Sequence, residues 1–229
     1  MGDGKLRRLR RLRRRLVREG LGETLRKAAG DHLFRSSGSV VMELDLIAAR
    51  LGAVRPGPGI TFTTLGTGDP LPPLCPFLAP RRNDFAAMLA AGKMGLFVLR
   101  QGIATGCAWI ALTDHHDARV REFYPVAPGE AYGYSWLLDP AERARGTALL
   151  FVRWALCLLQ NMGIRRVFSV IDRRNRTSYL IHQHFGYREA GMLVRHFHLF
   201  RVRWTRMSPY AGTLGLADPR PSRSYRRPA

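Results

Sequence analysis

The chain has 229 residues, 46% of them apolar, and a formal net charge of +20. This length and composition suit one globular domain with a sizeable core plus extensions, and no uncharged apolar run reaches the roughly 18 residues of a membrane-spanning helix. The three cysteines, Cys75, Cys107 and Cys157, form no C-x-x-C pair, which argues against a disulfide framework and for a reducing compartment.

Charge is concentrated at the ends. Residues 1–18 hold Lys5 and eight arginines against Asp3, and the tail adds Arg220, Arg223, Arg226 and Arg227. Leu6, Leu9, Leu12 and Leu16 recur at spacings of three, three and four, and Leu21 and Leu25 extend the stripe past Gly20. Residues 1–35 are therefore expected to form a basic amphipathic helical extension. Through residues 5–27 it could lie on an anionic membrane surface, the leucines entering the headgroup boundary. A partner groove, nucleic acid or the side of the domain itself would suit the same pattern. No apolar segment follows the charges as in a secretory signal; an Arg-rich transit peptide is a minor alternative.

Residues 39–46 read as a first strand, and Arg55-Pro56-Gly57-Pro58-Gly59 as a loop. The Gly/Pro-rich stretch 66–80 reads as irregular. Asn83 or Asp84 can cap a short helix through Ala91. Residues 94–100 and 103–112 predict a hairpin around Gln101-Gly102. Residues 131–138 read as a strand stopped by Pro140, and 147–162 as a helix that is apolar nearly all round, with Gly163 as its C-terminal cap. A strand at 167–171, a short helix from Asn175 to before Gly186 and one or two strands over 187–204 complete the domain. The fold class expected is α/β, an α+β mixed sheet with helices packed on it. The domain spans 36–207, and a basic disordered tail is predicted for 208–229.

Two motifs carry chemistry. Arg143-Ala144-Arg145-Gly146-Thr147-Ala148 opens the apolar helix. A helix start leaves backbone N–H groups unpaired in a positive potential, which suits a pyrophosphate. Gly146 removes a Cβ where a phosphate must approach the backbone, Ala148 is small, and Arg143 and Arg145 add charge-assisted donors. Further on stand Asn175, Ser178, His182 and Phe185-Gly186-Tyr187. In order and spacing the two segments resemble the GNAT superfamily of acyl-CoA-dependent N-acyltransferases, over residues 93–204. Ala144 departs from the glycine that members often carry.

The resemblance implies a GNAT-like acyltransferase fold and acyl transfer, usually from acetyl-CoA, to a primary amine by direct attack in a ternary complex, with no metal. It implies that the thioester lies along strand 131–138, with the N–H near Leu138 polarising its carbonyl. Loop residues 143–148 would hold the pyrophosphate, and Asn175 and Ser178 would stand near the pantetheine arm. Asn175 would serve equally as a plain helix cap. Where the family often has a tyrosine acid, this chain has His182, which could protonate the departing thiolate.

The general base is open among Glu130, Asp139, His115, His116 and Glu122, with Glu130 named first. His196 and His198 share a strand face, but no cysteine or carboxylate pattern completes a metal set. The acceptor is expected to be an amino sugar or another small amine, and the location cytoplasmic, peripheral at the inner face of the membrane. A second hypothesis is a basic nucleic-acid- or membrane-binding protein that keeps the fold without activity; no RNA-recognition or helix-turn-helix signature supports it.

Overall fold

A computed structural model describes residues 34–117, 121–143, 145–200 and 202–217. The predicted N-terminal helix over residues 5–27, Ala144 and the tail from 218 lie outside them. An eight-stranded sheet dominates, in the order β10-β9-β1-β8-β7-β4-β3-β2. Its strands are β1 (Phe34–Asp45), β2 (Ile60–Leu65), β3 (Met94–Arg100), β4 (Ile103–Ala111), β7 (Glu130–Leu138), β8 (Arg166–Asp172), β9 (Arg188–Leu199) and β10 (Val202–Pro209). A separate two-stranded ribbon pairs β5 (His115–Asp117) with β6 (Glu122–Tyr124). The helices are α1 (Arg82–Ala90), α2 (Pro140–Arg143), α3 (Thr147–Asn161) and α4 (Arg176–His184). The mixed α/β sheet expected from the sequence is therefore present. β2 and the ribbon β5–β6 are short elements whose pattern gave no separate signal.

Side-chain alternation splits the core between the two sheet faces. Val40, Met42, Leu96, Val98 and Ile110 pack against Phe151, Ala155, Leu156 and Leu159 of α3. On the other face Phe97, Cys107 and Trp109 pack against Phe85 and Leu89 of α1, and Val41, Tyr132, Phe168 and Val194 form a neighbouring cluster with Tyr124 of β6. Cys107 is a core residue, and burial pushes its thiol up to about 12.

The pairing of β7 with β8 decides where a ligand can enter. It is parallel and covers three bridges, Glu130↔Arg166 to Tyr132↔Phe168. Beyond it the strands part. β7 instead follows β4, with a register shift between Trp109↔Tyr134 and Cys107↔Leu137. Ser135 lies in that shift with φ 51°, a left-handed conformation unusual for a side-chain-bearing residue and typical of a bulge. The extra residue flips the alternation. Tyr132 and Tyr134 face the α1 side, whereas Trp136 and Leu138 join the α3 side.

The stretch 210–217 corrects the predicted tail: it packs against the sheet instead of leaving it. Leu214 and Leu216 join the α3-side core. Glu189 receives the hydroxyls of Tyr179 and Tyr210 and the N–H groups of Leu214 and Gly215. Burial alone would raise the Glu189 carboxyl, but these four donors hold it below the ordinary carboxylate range. A depressed folded value means this contribution is present above the unfolded pKa, about 4.3, and is lost as pH falls below it. Glu189→Gln, which swaps an acceptor for a donor among donors, is expected to lower stability by about 2 kcal/mol. Thermal unfolding would measure this, and faster exchange of the Leu214 and Gly215 amides would locate it.

Candidate functional site

Where β7 parts from β8, a groove of about 270 Å³ opens between β7, α3 and α4, lined by Trp136, Leu137, Leu138, Arg143, Ala148, Phe151, Asn175, Ser178 and His182 among others. Six predicted site residues, Leu138, Arg143, Ala148, Asn175, Ser178 and His182, thus meet in one place. At one end stands the start of α3. Gly146 is its N-cap with φ 72°, and no side chain caps the helix. The first N–H groups of a fifteen-residue helix therefore remain open to a ligand. Nothing lies within 4 Å of where a Gly146 Cβ would be, so the approach is clear.

The loop before α3 is held by a residue that was not singled out in the sequence. Glu142 is 4% exposed. It takes a bidentate pair from Arg100 on β3, at 2.6 and 2.7 Å, and the Thr147 hydroxyl at 2.9 Å. The Arg100 hydrogen bond is the main reason its carboxyl sits below the usual range. Arg145 Nη1 stands 3.7 Å away. The Thr147 side chain is therefore committed to Glu142, leaving its backbone N–H for a ligand. The one available signal was an acidic residue set directly beside Arg143.

The strand edge facing the groove offers a donor. Asp139 N–H donates to Thr105 O on β4 at 2.8 Å. Along a regular strand N–H groups alternate in direction, so that of Leu138, on the regular side of the bulge, points away from β4. Across the groove, Asn175 accepts from the Ser178 N–H at 3.2 Å, which makes it a true helix cap. His182 is 4% exposed. Its Nδ1 lies 2.8 Å from the Ser178 carbonyl. A carbonyl only accepts, so Nδ1 carries the proton and Nε2 is the acceptor of the neutral ring. Burial lowers the His182 pKa, outweighing that hydrogen bond. The ring therefore starts neutral, as a proton acceptor, where the resemblance implies an acid.

His182, Asn175, Ser178 and Trp136 also line a second, larger cleft of about 750 Å³. Its walls carry Tyr132, Tyr134 and His115, whose ring centre lies 4.5 Å from that of Tyr134 and 5.0 Å from that of Tyr132, tilted against both. Asp84, Asp117, Glu122 and Asp172 line it beside Arg81 and Lys93. Burial keeps His115 below its ordinary pKa and lifts Tyr134 to about 12, so both are neutral near pH 7.

The base candidates separate. His115, His116 and Glu122 line the cleft. Asp139 accepts from the Ala141 N–H at the loop. Glu130 does not join the site. It stands at the opposite end of β7, eight residues or about 26 Å from Leu138. Its carboxylate is bonded by Arg166 at 2.6 Å. Burial would raise its pKa, but Arg166 and the Ala127 N–H hold it low. It lines a separate cavity of about 990 Å³ with Glu43, Arg165, Arg166 and Arg188. His196 is not assembled with His198 in any metal-like group among the described residues; its Nδ1 meets Glu122 at 2.9 Å.

The comparisons with known proteins bear on the fold. A Drosophila protein of known structure is similar with a TM-score of 0.50 and 12% identity, over 79% of this chain and 58% of that one. The likeness is one of fold. Two GCN5-related N-acetyltransferases are similar at lower scores. The one from Kribbella flavida has a TM-score of 0.45 at 13% identity, over 86% of this chain and 66% of that one. The one from Sphaerobacter thermophilus has 0.46 at 17%, over 79% and 57%. The chain spans about three fifths of the length of these structures. No family model matches it, and no curated protein does.

Proposed function

We propose that this chain is an acyl-CoA-dependent N-acyltransferase whose donor lies in the groove where β7 parts from β8. The observation that carries the proposal is the junction of groove and cleft at His182, with the groove's other end closed by the uncapped start of α3. The pyrophosphate rests on the N–H groups after Gly146, flanked by Arg143 and Arg145. The pantetheine arm runs past Ala148, Asn175 and Ser178 along the edge of β7. The N–H of Leu138 meets the thioester oxygen and stabilises it as an oxyanion. The acceptor amine enters from the cleft, whose carboxylates attract its ammonium form and whose aromatic walls suit the face of an amino sugar. The ammonium releases one proton to solvent in the cleft, the neutral amine attacks the carbonyl, a C–N bond forms, and the C–S bond breaks. His182 takes the proton from the amine nitrogen and delivers it to the departing sulfur. The segment 5–27 holds the enzyme on an anionic membrane surface, where such an acceptor can be presented. Among the described residues no helix is long and apolar enough to cross a membrane.

The test is calorimetric titration of CoA and acetyl-CoA, followed by an amine screen that includes amino sugars. His182→Asn is expected to bind CoA as wild type and to lose about 10²–10⁴-fold in kcat. Because the working ring is neutral and its pKa is lowered by burial, wild-type activity rises with pH through a value below the ordinary 6.5. The variant lacks that limb. A variant with full rate and the same limb would remove His182 from the mechanism.

A further inference from the structure

The hairpin of β9 and β10 ends in an exposed apolar tip. β9 stops at Leu199 and β10 starts at Val202, and these two form its last bridge. Leu199 is 39% exposed, Val202 52%, and Phe200 in the turn 61%. Phe200 has φ 52°. A turn this short selects Asn, Asp or Gly for its left-handed backbone, and a bulky side chain there is strained. An outlier of that kind, which carries an aromatic ring into solvent, points to a use. Behind the turn Phe197 and Trp204 stack across the hairpin with ring centres 5.2 Å apart, which stiffens it. The charge around the tip has one sign. Arg195, Arg201, Arg203 and Arg206 lie between Met192 and Met207 with no acidic residue among them, and Arg195, Arg203 and Arg206 are exposed.

The tip also has a defined place. β8 runs parallel to β7 and ends at Asp172, opposite Ser39 of β1. β1 continues outward to Phe34, opposite Leu199, so the tip stands five residues, or about 17 Å, beyond the end of β8. Asp172 lines the larger cleft, and the tip projects from that same end of the sheet. The basic, leucine-striped segment 5–27 joins the domain here too, with six residues between it and Phe34.

We propose that the β9–β10 tip inserts Leu199, Phe200 and Val202 into an anionic lipid surface, while the surrounding arginines meet the headgroups. This deepens the membrane-apposed reading of segment 5–27 above and does not depend on the donor. Exposed apolar side chains ringed by arginines match the two layers of such a surface, hydrocarbon below and negative charge above. A phosphate backbone would engage the arginines but has no place for the aliphatic Leu199 and Val202. A second copy of the same tip would set like charges against each other. With the tip and segment 5–27 both on the lipid, the end of the sheet that carries Asp172 faces the membrane. The acceptor cleft then opens toward an amine presented at that surface.

The experiment is co-sedimentation of the full chain with vesicles of phosphatidylglycerol mixed with phosphatidylcholine, and with vesicles of phosphatidylcholine alone. The wild type is expected to favour the anionic vesicles. In the double variant Phe200→Asn with Val202→Thr, asparagine suits the left-handed turn and threonine the strand, so Tm should equal or exceed that of the wild type. Its affinity for the anionic vesicles should fall about tenfold or more, the factor that burial of one or two apolar side chains supplies. Equal binding by the folded double variant would overturn the proposal and leave segment 5–27 as the membrane contact. A wild type with no preference for anionic vesicles would overturn both the tip and the membrane reading, and leave the donor groove untouched. A wild-type dimer that the double variant breaks, read by analytical ultracentrifugation without lipid, would make the tip a contact between copies and overturn the proposal as well.

Discussion

Gly146→Glu is expected to abolish CoA binding while the protein still folds. Gly146 has a φ of 72°, so any side chain there carries left-handed strain of about 1–2 kcal/mol. Nothing lies within 4 Å of the new Cβ, so no core contact is broken. The larger effect is electrostatic. A carboxylate at the N-cap would satisfy the open N–H groups itself and repel the pyrophosphate. Like charges brought together cost several kcal/mol, which is about a hundredfold or more in affinity. Gly146→Ala carries the strain without the charge and should lose far less. Calorimetry on both variants, beside thermal unfolding, separates the two causes. A folded Gly146→Glu protein that binds CoA like wild type would place the pyrophosphate elsewhere.

The second large effect is expected at Glu142. Glu142→Ala removes the partner of Arg100 and of the buried Thr147 hydroxyl in one change. Losing hydrogen bonds to a buried charged group is worth about 2 kcal/mol, or about 4–8 °C in Tm for a chain of this size. The carboxyl is held low chiefly by Arg100. Its contribution is therefore complete above the unfolded pKa, about 4.3, and disappears as pH falls through the folded value. The stability difference between wild type and variant should shrink below about pH 4. CoA affinity should fall as well, because Glu142 ties the loop before α3 to β3. A variant equal to wild type in Tm at pH 7 would show that the loop is held by other contacts.

Much of the fold was legible because its elements are strongly patterned. The hairpin around Gln101-Gly102, the apolar helix from Thr147 and its Gly163 cap, and the Asn175-capped helix all stand within a residue or two of expectation. The ribbon β5–β6 was not seen because its strands are three residues each, too short to show a period. The stretch 210–217 looked like a tail because its composition is that of a loop. Its order comes from Glu189, twenty or more residues away.

The candidate site divides in the same way. The sequence by itself determined the helix-opening glycine, the basic residues around it, the asparagine cap and the histidine seven residues later. Each is a local feature, set by backbone conformation and helix periodicity within one short segment. Only the tertiary structure decided that Glu130 lies about 26 Å along β7 from Leu138 and is paired to Arg166. It also showed Glu142 clamped by Arg100, and His182 buried where groove and cleft meet. The bulge at Ser135 is the sharpest case. Tyr132, Tyr134, Trp136 and Leu138 alternate in sequence as if they shared one face. One extra residue between β7 and β4 divides them between two, because strand register is set by pairing with a distant segment, to which local alternation is blind.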